Sequence, residues 1–306
     1  MDQESHEPKL CHRETRAVAK DSAISNRSLF SRRQVLESAA AAALVSVLHP
    51  AELLAAAPRS LAAGSATEPR ISGLRLYTAA PFSNLKDFYH GSLGFPVVSE
   101  GAVEITFQGG LTPITFVVAP PEMGNPWYHV AFNIPENKLL LAREWQLRRS
   151  PLIPTPPRAV DPRYPGDIRH FPRWNSHAMF FWDPAGNLLE YIARHDLNNG
   201  SDGAFTVADI LYVSEIGLVV DEQAATARQL HEDLGLEVYP RATRNWWAMG
   251  DETGLLLCIP KRLWGENTER PKRFAVFPTE ATIRGASEGA QRLYQVPGYP
   301  YRVTVV

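Results

Sequence analysis

A glutamate inside a predicted apolar strand is the residue whose position most clearly indicates a functional site. Glu190 lies within the apolar run 188–193, and a second apolar run, 179–182, precedes it across Asp-Pro-Ala-Gly-Asn at 183–187. Proline and Gly-Asn favour a tight turn, so the two runs are predicted to form a β-hairpin. Because side chains alternate along a strand, Glu190 faces the same side as two apolar neighbours. A carboxylate in that position needs an ion-pair partner, a proton or a metal ion.

The hairpin also carries a family resemblance. Residues 181–191, Phe-Trp-Asp-Pro-Ala-Gly-Asn-Leu-Leu-Glu-Tyr, resemble the closing hairpin of the vicinal oxygen chelate superfamily, which includes glyoxalase I, extradiol dioxygenases, fosfomycin-resistance enzymes and bleomycin-binding proteins. In that superfamily the glutamate of this hairpin is usually a ligand of a divalent metal. The resemblance therefore implies a divalent ion as cofactor (Fe, Zn, Mn or Ni) with Glu190 among its ligands.

An internal repeat indicates the elements that position this glutamate. Leu-Gly-Phe at 93–95 and Leu-Gly-Leu at 234–236 each end an amphipathic helix, with one strand before it and further strands after it. Gly94 and Gly235 stand where a helix end favours a left-handed residue. Each copy is thus predicted to be a βαβββ module, the unit of the vicinal oxygen chelate fold. The predicted class is α+β, with tandem modules curling into a mixed-sheet cup.

The repeat sets the expected domain boundaries. Residues 69–197 are predicted to pair two modules in one cup, the second of them containing His129 and the hairpin. Residues 207–306 are predicted to hold a third module and a partial fourth that opens with a strand at 274–279. The many prolines between 151 and 174 indicate an irregular loop over the cup.

In this superfamily the metal ligands come from the first and last strands of each module. Aligning the first strands places Gly73, His129 and Glu215 at the ligand position, whereas the last strands offer Glu190 but otherwise Thr115 and Leu257. His177 opens the strand that leads into the turn, and we expect it to lie near Glu190. The resulting candidate metal ligands are His129, Glu190, His177 and Glu215. Ion pairing of Glu215 with an arginine at a module interface is the alternative for that residue, and no catalytic group is assigned.

The N-terminal 66 residues differ from the rest in composition. Ser-Arg-Arg-Gln-Val-Leu at 31–36 precedes an Ala-rich run at 39–48 and small residues at 64–66, which resembles a twin-arginine (Tat) export signal. The alternative is an Ala-rich amphipathic helix behind a disordered tail. The apolar run is shorter than the ~18 residues of a spanning helix, so no stable membrane insertion is expected. The prediction is a protein exported to the periplasm or beyond, in which Cys258 is the one cysteine left and is buried and inert.

The composition of the chain limits the classes of molecule that it is expected to bind. The chain of 306 residues has a formal charge of −2 and no long basic run beyond its N-terminus, which argues against nucleic acid as a partner.

Two functions agree with the candidate site residues. The first is a metal-dependent lyase or dioxygenase-like enzyme acting on a small substrate with neighbouring oxygens. The second is a metal-free protein that binds a small molecule with its aromatic walls, and the resemblance also implies a homodimer as one way of completing the site.

Overall fold

The computed structural model describes residues 70–242, 247–261, 263–264, 272–284 and 291–306. The expected export signal in residues 1–66 lies outside them. Among the described residues, no helix combines the length and apolar character needed to cross a membrane.

The first module follows the predicted βαβββ order. Its helix α1 begins as Phe82–Leu85 and continues in wider π-type turns over Lys86–Ser92. It buries Leu85, Tyr89 and Leu93, which recur every four residues on one face. The chain then leaves the helix through Gly94 at φ 80°. The strands are β1 (Ile71–Thr78), β2 (Val97–Glu100), β3 (Glu104–Gly109) and β4 (Thr112–Val118).

The second module repeats this order, and the third repeats it with an isolated bridge between Val238 and Met249 in place of one strand. The second contains β5 (His129–Ile134), α2 (Leu139–Leu147), β6 (Ile168–Phe171), β7 (Ser176–Trp182) and β8 (Leu188–Arg194). The third contains β9 (Tyr212–Val220), α3 (Gln223–Leu234), β10 (Trp247–Asp251) and β11 (Gly254–Pro260). Helix α3 ends at Gly235 in a left-handed conformation, as predicted. The proline-rich loop at 151–174 is less irregular than expected, because it contains β6.

The C-terminal residues form a fourth module more complete than the sequence indicated. A short pair, β12 (Leu263–Trp264) and β13 (Lys272–Arg273), precedes β14 (Thr279–Ile283), β15 (Arg292–Gln295) and β16 (Tyr301–Val305). The expected strand at 274–279 begins only at Thr279. In all four modules the first and last strands run parallel and adjacent, as β1–β4, β5–β8, β9–β11 and β14–β16 do. The structure therefore confirms the α+β fold of tandem βαβββ modules.

The modules pair differently from our expectation. One seven-stranded sheet has the order β15-β16-β14-β1-β4-β3-β2, and the other has β10-β11-β9-β5-β8-β7-β6. Module one thus shares a sheet with module four, and module two shares one with module three through β5 and β9. Every residue of β5 and of β9 is buried, so each strand needs a backbone partner on both edges. The pairing of modules one and two in one cup was wrong, while the domain boundaries themselves stay a prediction.

A large apolar core lies between the two sheets and a smaller one lines the outer, concave face of the second sheet. The turn between β3 and β4 joins the two sheets, because Leu111 N–H donates to the carbonyl of Leu211 at 2.8 Å. Gly110 has φ 60° there, and a Cβ on it would overlap the carbonyl oxygens of Ile210 and Leu211. The smaller core is the one that surrounds the candidate site.

Candidate metal and substrate site

The turn after β7 holds together the strands that carry the site. The Asp183 carboxylate accepts hydrogen bonds from the Asn187 backbone N–H and side-chain amide, both at 2.7 Å, and from the buried Tyr89 hydroxyl at 2.7 Å. The Asn187 side-chain oxygen, Oδ1, in turn accepts from the backbone N–H of Tyr128 at 2.8 Å. This last bond anchors the start of β5 beside β8. The Asp-Pro-Ala-Gly-Asn sequence therefore sets the position of His129 as well as the hairpin.

Three candidate ligands from three adjacent strands converge at the bottom of the concave face. His129 Nε2 lies 3.3 Å from Glu190 Oε2 and 3.6 Å from Glu215 Oε2. All three side chains are buried, and one ligand atom from each lies within 4.8 Å of the others. His129 Nδ1 lies 3.3 Å from the carbonyl oxygen of Leu188. A proton on Nδ1 would be donated to that carbonyl, so Nε2 is the nitrogen available to a cation.

A buried arginine completes this group. Arg194, 1% exposed, pairs with Glu215 Oε1 and donates from Nε to Asn133 Oδ1 at 3.1 Å. Its guanidinium lies over the Trp174 ring, 5.6 Å from the centroid, and its buried Nη1 has no hydrogen-bond partner in the described part of the chain. Glu215 thus makes the arginine pair considered as its alternative role and also presents its other oxygen to His129.

The pKa values follow from this neighbourhood. Burial lowers the pKa of His129, but its contacts with Glu190 and Glu215 outweigh burial and raise the pKa from 6.5 to about 9. Burial raises the pKa of Glu190. Burial also raises the pKa of Glu215, but Arg194 and His129 together hold it below its usual value. The group therefore has an imidazolium and a carboxylate at neutral pH when no metal is bound.

An apolar pocket opens above these residues. Its interior volume is about 80 Å³, and its mouth is open to solvent. Its apolar lining consists of Phe171, Trp174, Phe180, Leu188, Ile192, Leu257 and Phe274. Arg169 also lies in this wall, with its guanidinium 5.3 Å from the Phe180 ring centroid. Among the described residues its buried Nε has no hydrogen-bond partner. The pocket therefore offers a small ligand an apolar wall and one cationic side chain.

His177 does not join the other three candidates. Phe180 is the residue opposite Glu190 across the hairpin, whereas His177 lies opposite Ala193. His177 is three positions from Phe180, so its side chain points to the other face of β7. There it lies 3.3 Å from Asp161 and 2.9 Å from His195. Our expectation that His177 lies near Glu190 was wrong about its face.

The other positions aligned with the metal ligands in the sequence carry no metal-binding side chain. Leu257 lines the pocket, so the fourth position of the paired modules is apolar. Gly73 and Thr115 belong to the first sheet, where Thr115 bonds to Thr106 at 2.9 Å. Cys258 is fully buried, and burial raises the pKa of its thiol to about 12. It has the inert environment predicted for it.

Sequence reasoning missed both arginines of the site. Arg194 ends β8 on the same face as Glu190, four residues further along, so strand alternation could have indicated it. Arg169 lies in the proline-rich segment where no strand was predicted. Without β6, the sequence offered no signal that its side chain reaches the pocket.

Comparisons with known proteins leave the activity open. No family model and no curated protein matches the chain. Solved structures do match, 176 chains in all. A Bacillus subtilis protein provisionally described as a dioxygenase has a TM-score of 0.48 at 15% identity, over 77% of this chain and 84% of its own. Glyoxalase I from Zea mays has a TM-score of 0.42 at 12% identity, over 77% and 91%.

A shorter match covers one part of the chain. A bleomycin-binding protein, solved with bleomycin, has a TM-score of 0.28 at 20% identity, over 40% of this chain and 94% of its own. All these structures are below 25% identical to the chain and have TM-scores below 0.5, so they assign no function to it.

Proposed function

We propose that the pocket of the second sheet binds a divalent metal ion through His129, Glu190 and Glu215 and acts on a small substrate with neighbouring oxygens, as a lyase or a dioxygenase-like enzyme. The observation that carries this proposal is the convergence of one imidazole and two carboxylates on a single buried point. Fe, Zn, Mn and Ni all accept such nitrogen and oxygen donors.

The residues present fit such an ion. The His129–glutamate distances of 3.3 and 3.6 Å are near the ~3.3 Å between donors that each lie about 2.0–2.1 Å from one tetrahedral ion. Two carboxylates and a neutral imidazole would offset the charge of a divalent ion. Leu257 leaves one side of the group without a protein ligand, and an open position is typical of catalytic metal sites. When bound, the ion would supply a Lewis acid for a substrate oxygen.

The chain's own residues would prepare the site and orient the substrate. His129 must lose its proton before Nε2 can bind a cation, so metal binding releases a proton. Arg194 holds Glu215 Oε1, which leaves Oε2 directed to His129. The Arg169 guanidinium, which lines the pocket, would pair with an anionic or carbonyl oxygen of the substrate, and the aromatic walls would pack against its apolar part.

Metal content of the full-length chain, purified without chelator, tests the proposal. We expect His129→Ala and Glu190→Gln each to carry one transition-metal ion fewer per chain than the parent. The matched controls are His231→Ala, at a half-exposed histidine, and Glu122→Gln, at an exposed glutamate. Both controls should keep the full content. Vicinal diols, catechols and 2-oxoaldehyde adducts are then the compounds to screen as substrates.

Two results would contradict the metal proposal. One is the same metal content in His129→Ala as in the parent. The other is a well-folded parent that takes up no transition metal at this site after dialysis against Fe²⁺, Zn²⁺, Mn²⁺ and Ni²⁺.

A specific observation favours a second function, metal-free binding of a small molecule. Protonated His129 contacts both Glu190 and Glu215, and Arg194 pairs with Glu215, so each ionisable side chain of the group has a partner without an ion. The apolar pocket would then sequester a compound by its aromatic walls. Unchanged binding of such a compound in the presence of EDTA and in His129→Gln would distinguish this function from the first.

Three further points belong to the proposal. We also propose export through the Tat pathway to the periplasm or beyond, supported by the resemblance of residues 31–66 to a twin-arginine signal. A homodimer stays an expectation of the superfamily resemblance. A small-molecule substrate or ligand is the partner that the pocket fits.

A further inference from the structure

Three histidines form a second cluster on the other face of the hairpin strands. His170 in β6 and His177 in β7 lie directly opposite each other, and their rings stack at 4.4 Å with planes 6° apart. His195 follows the end of β8, with its Nε2 2.9 Å from His177 Nδ1. A carboxylate lies at each end of the cluster: Asp161 is 3.3 Å from His177, and Glu136 is 3.5 Å from His195.

The contacts from Glu136 to Asp161 admit a tautomer in which His177 Nε2 is free. His177 lies at hydrogen-bond distance from both His195 and Asp161, whereas Glu136 lies 3.5 Å from His195 Nδ1 as an ion pair. Ionised carboxylates only accept hydrogen bonds, and a neutral imidazole has one N–H. If His195 carries its proton on Nδ1, towards Glu136, His177 must donate from Nδ1 to His195 Nε2. The Nε2 lone pair of His177 then faces the Asp161 carboxylate, an arrangement that a cation between them would stabilise.

The surroundings indicate where a cation would lie. At the Glu136 end both side chains are about one quarter exposed, so water can enter that contact. At the Asp161 end the His177 and Asp161 side chains are each 5% exposed, and His170 Nδ1 is the third group, 4.0 Å from Asp161 Oδ2. The ligand atoms of these three residues lie within 4.8 Å of one another. A proton on His195 Nδ1 then leaves His177 Nδ1–H as donor to His195 and His177 Nε2 free.

We propose that His170, His177 and Asp161 form a second metal site, for a divalent transition ion such as Zn²⁺. Two imidazole nitrogens and one carboxylate oxygen are a common donor set for such ions, with water in the fourth position. The distances from Asp161 Oδ2 to the two imidazole nitrogens, 3.3 and 4.0 Å, are close to the ~3.3 Å of a tetrahedral site. Because the two rings now stack with their planes 6° apart, the partly exposed His170 ring must rotate out of the stack before both nitrogens can point at one ion. His195 and Glu136 hold the ring of His177 in the required tautomer.

Arg163 is the group that shares Asp161 with the proposed ion. Its Nη2 lies 2.7 Å from Asp161 Oδ2, and its Nε lies 3.1 Å from Oδ1. The Arg163 side chain is 76% exposed, so it can withdraw or bind Oδ1 alone at little cost. Its positive charge opposes a cation, and its removal should tighten metal binding.

This site is separate from the pocket of the proposed function. His177 and Phe180 point to opposite faces of β7, and the pocket residues include none of the three ligands proposed here. Loss of one metal should therefore leave the other in place. The two proposals can fail independently.

Zinc titration of the full-length chain, stripped with EDTA and followed with a chromophoric zinc chelator, tests the second site. His170→Ala should lose one bound zinc per chain, both in the parent and in a His129→Ala background. His231→Ala is the matched control and should lose none. His195→Ala removes no ligand and should weaken the same zinc about 10–100-fold, whereas Arg163→Met should bind it more tightly.

Cobalt binding tests the second site without the His170→Ala variant, should that variant fail to fold. In the His129→Ala chain, whose second cluster is intact, one Co²⁺ should broaden the ring-proton resonances of His170 and His177. Equal zinc stoichiometry and affinity in His170→Ala and its parent would overturn the proposal. So would Co²⁺ that binds without affecting those two rings.

Discussion

The raised pKa of His129 predicts how the unfolding free energy of the metal-free protein depends on pH. In the folded chain two buried glutamates raise the pKa of His129 from 6.5 to about 9, whereas in the unfolded chain it titrates near its usual value. Because the folded-state pKa is the higher one, folding is stabilised by protonation of this residue. The perturbation is His129→Gln, which keeps a polar side chain but cannot take the proton.

The magnitude follows from the two pKa values. A rise from 6.5 to about 9 corresponds to about 3 kcal/mol of unfolding free energy, at about 1.4 kcal/mol for each tenfold change. This stabilisation is complete below pH 6.5. It is lost as the pH rises through about 9, because the folded protein then gives up the proton that it held.

Urea unfolding in EDTA, at a series of pH values from 6 to 10, measures this difference. The unfolding free energy of the parent minus that of His129→Gln should fall by about 3 kcal/mol over this range. In a Glu190→Gln/Glu215→Gln background only burial acts on His129, so the pH dependence should change sign. A parent and a His129→Gln variant whose stabilities run parallel over the whole range would refute the assigned ion pairs.

Three other substitutions probe neighbouring features by the same unfolding measurement. Arg194→Met leaves Glu215 as a buried charge without its arginine and should cost about 3–5 kcal/mol; a cost under 1 kcal/mol would contradict the ion pair. Tyr89→Phe removes the hydroxyl that donates to Asp183 at 2.7 Å and should cost about 1.5–3 kcal/mol, while Tyr77→Phe serves as a control. Gly110→Ala places a Cβ at φ 60° against backbone oxygens and should cost at least about 1–2 kcal/mol, unlike Gly166→Ala, whose Cβ meets open space.

The parts of the fold that depend on neighbouring residues could be predicted from the sequence. The hairpin around Asp183 and the left-handed ends at Gly94 and Gly235 are set by local backbone preferences, and the structure has all three. The burial of Glu190 followed from strand alternation. The repeat similarly indicated Glu215 as the residue equivalent to His129.

The pairing of the modules could not be predicted in the same way. The first strand of each module has one edge that the module itself leaves unpaired. Which strand of another module pairs with that edge depends on packing across the whole chain. Module one pairs with strands more than 200 residues away, as Leu74 and Ala281 do. Arg194 and Glu215 meet for the same reason, because β8 and β9 both pair with β5.

The position of His177 could have been predicted by counting from the turn. Asp183 N–H bonds to the carbonyl of Asn187, so partners across the hairpin have residue numbers with a constant sum. That count places Phe180 opposite Glu190 and puts His177 on the other face, as the register shows. Two side chains separated by an odd number of positions along a strand point to opposite faces of the sheet.

The most direct test of the metal proposal is an anomalous difference map of the full-length chain crystallised with Zn²⁺, recorded at the zinc absorption edge. The proposal predicts a peak about 2.0–2.2 Å from His129 Nε2 and from one oxygen each of Glu190 and Glu215. A crystal with no peak there, in which His129 still contacts both glutamates under saturating Zn²⁺, would contradict it.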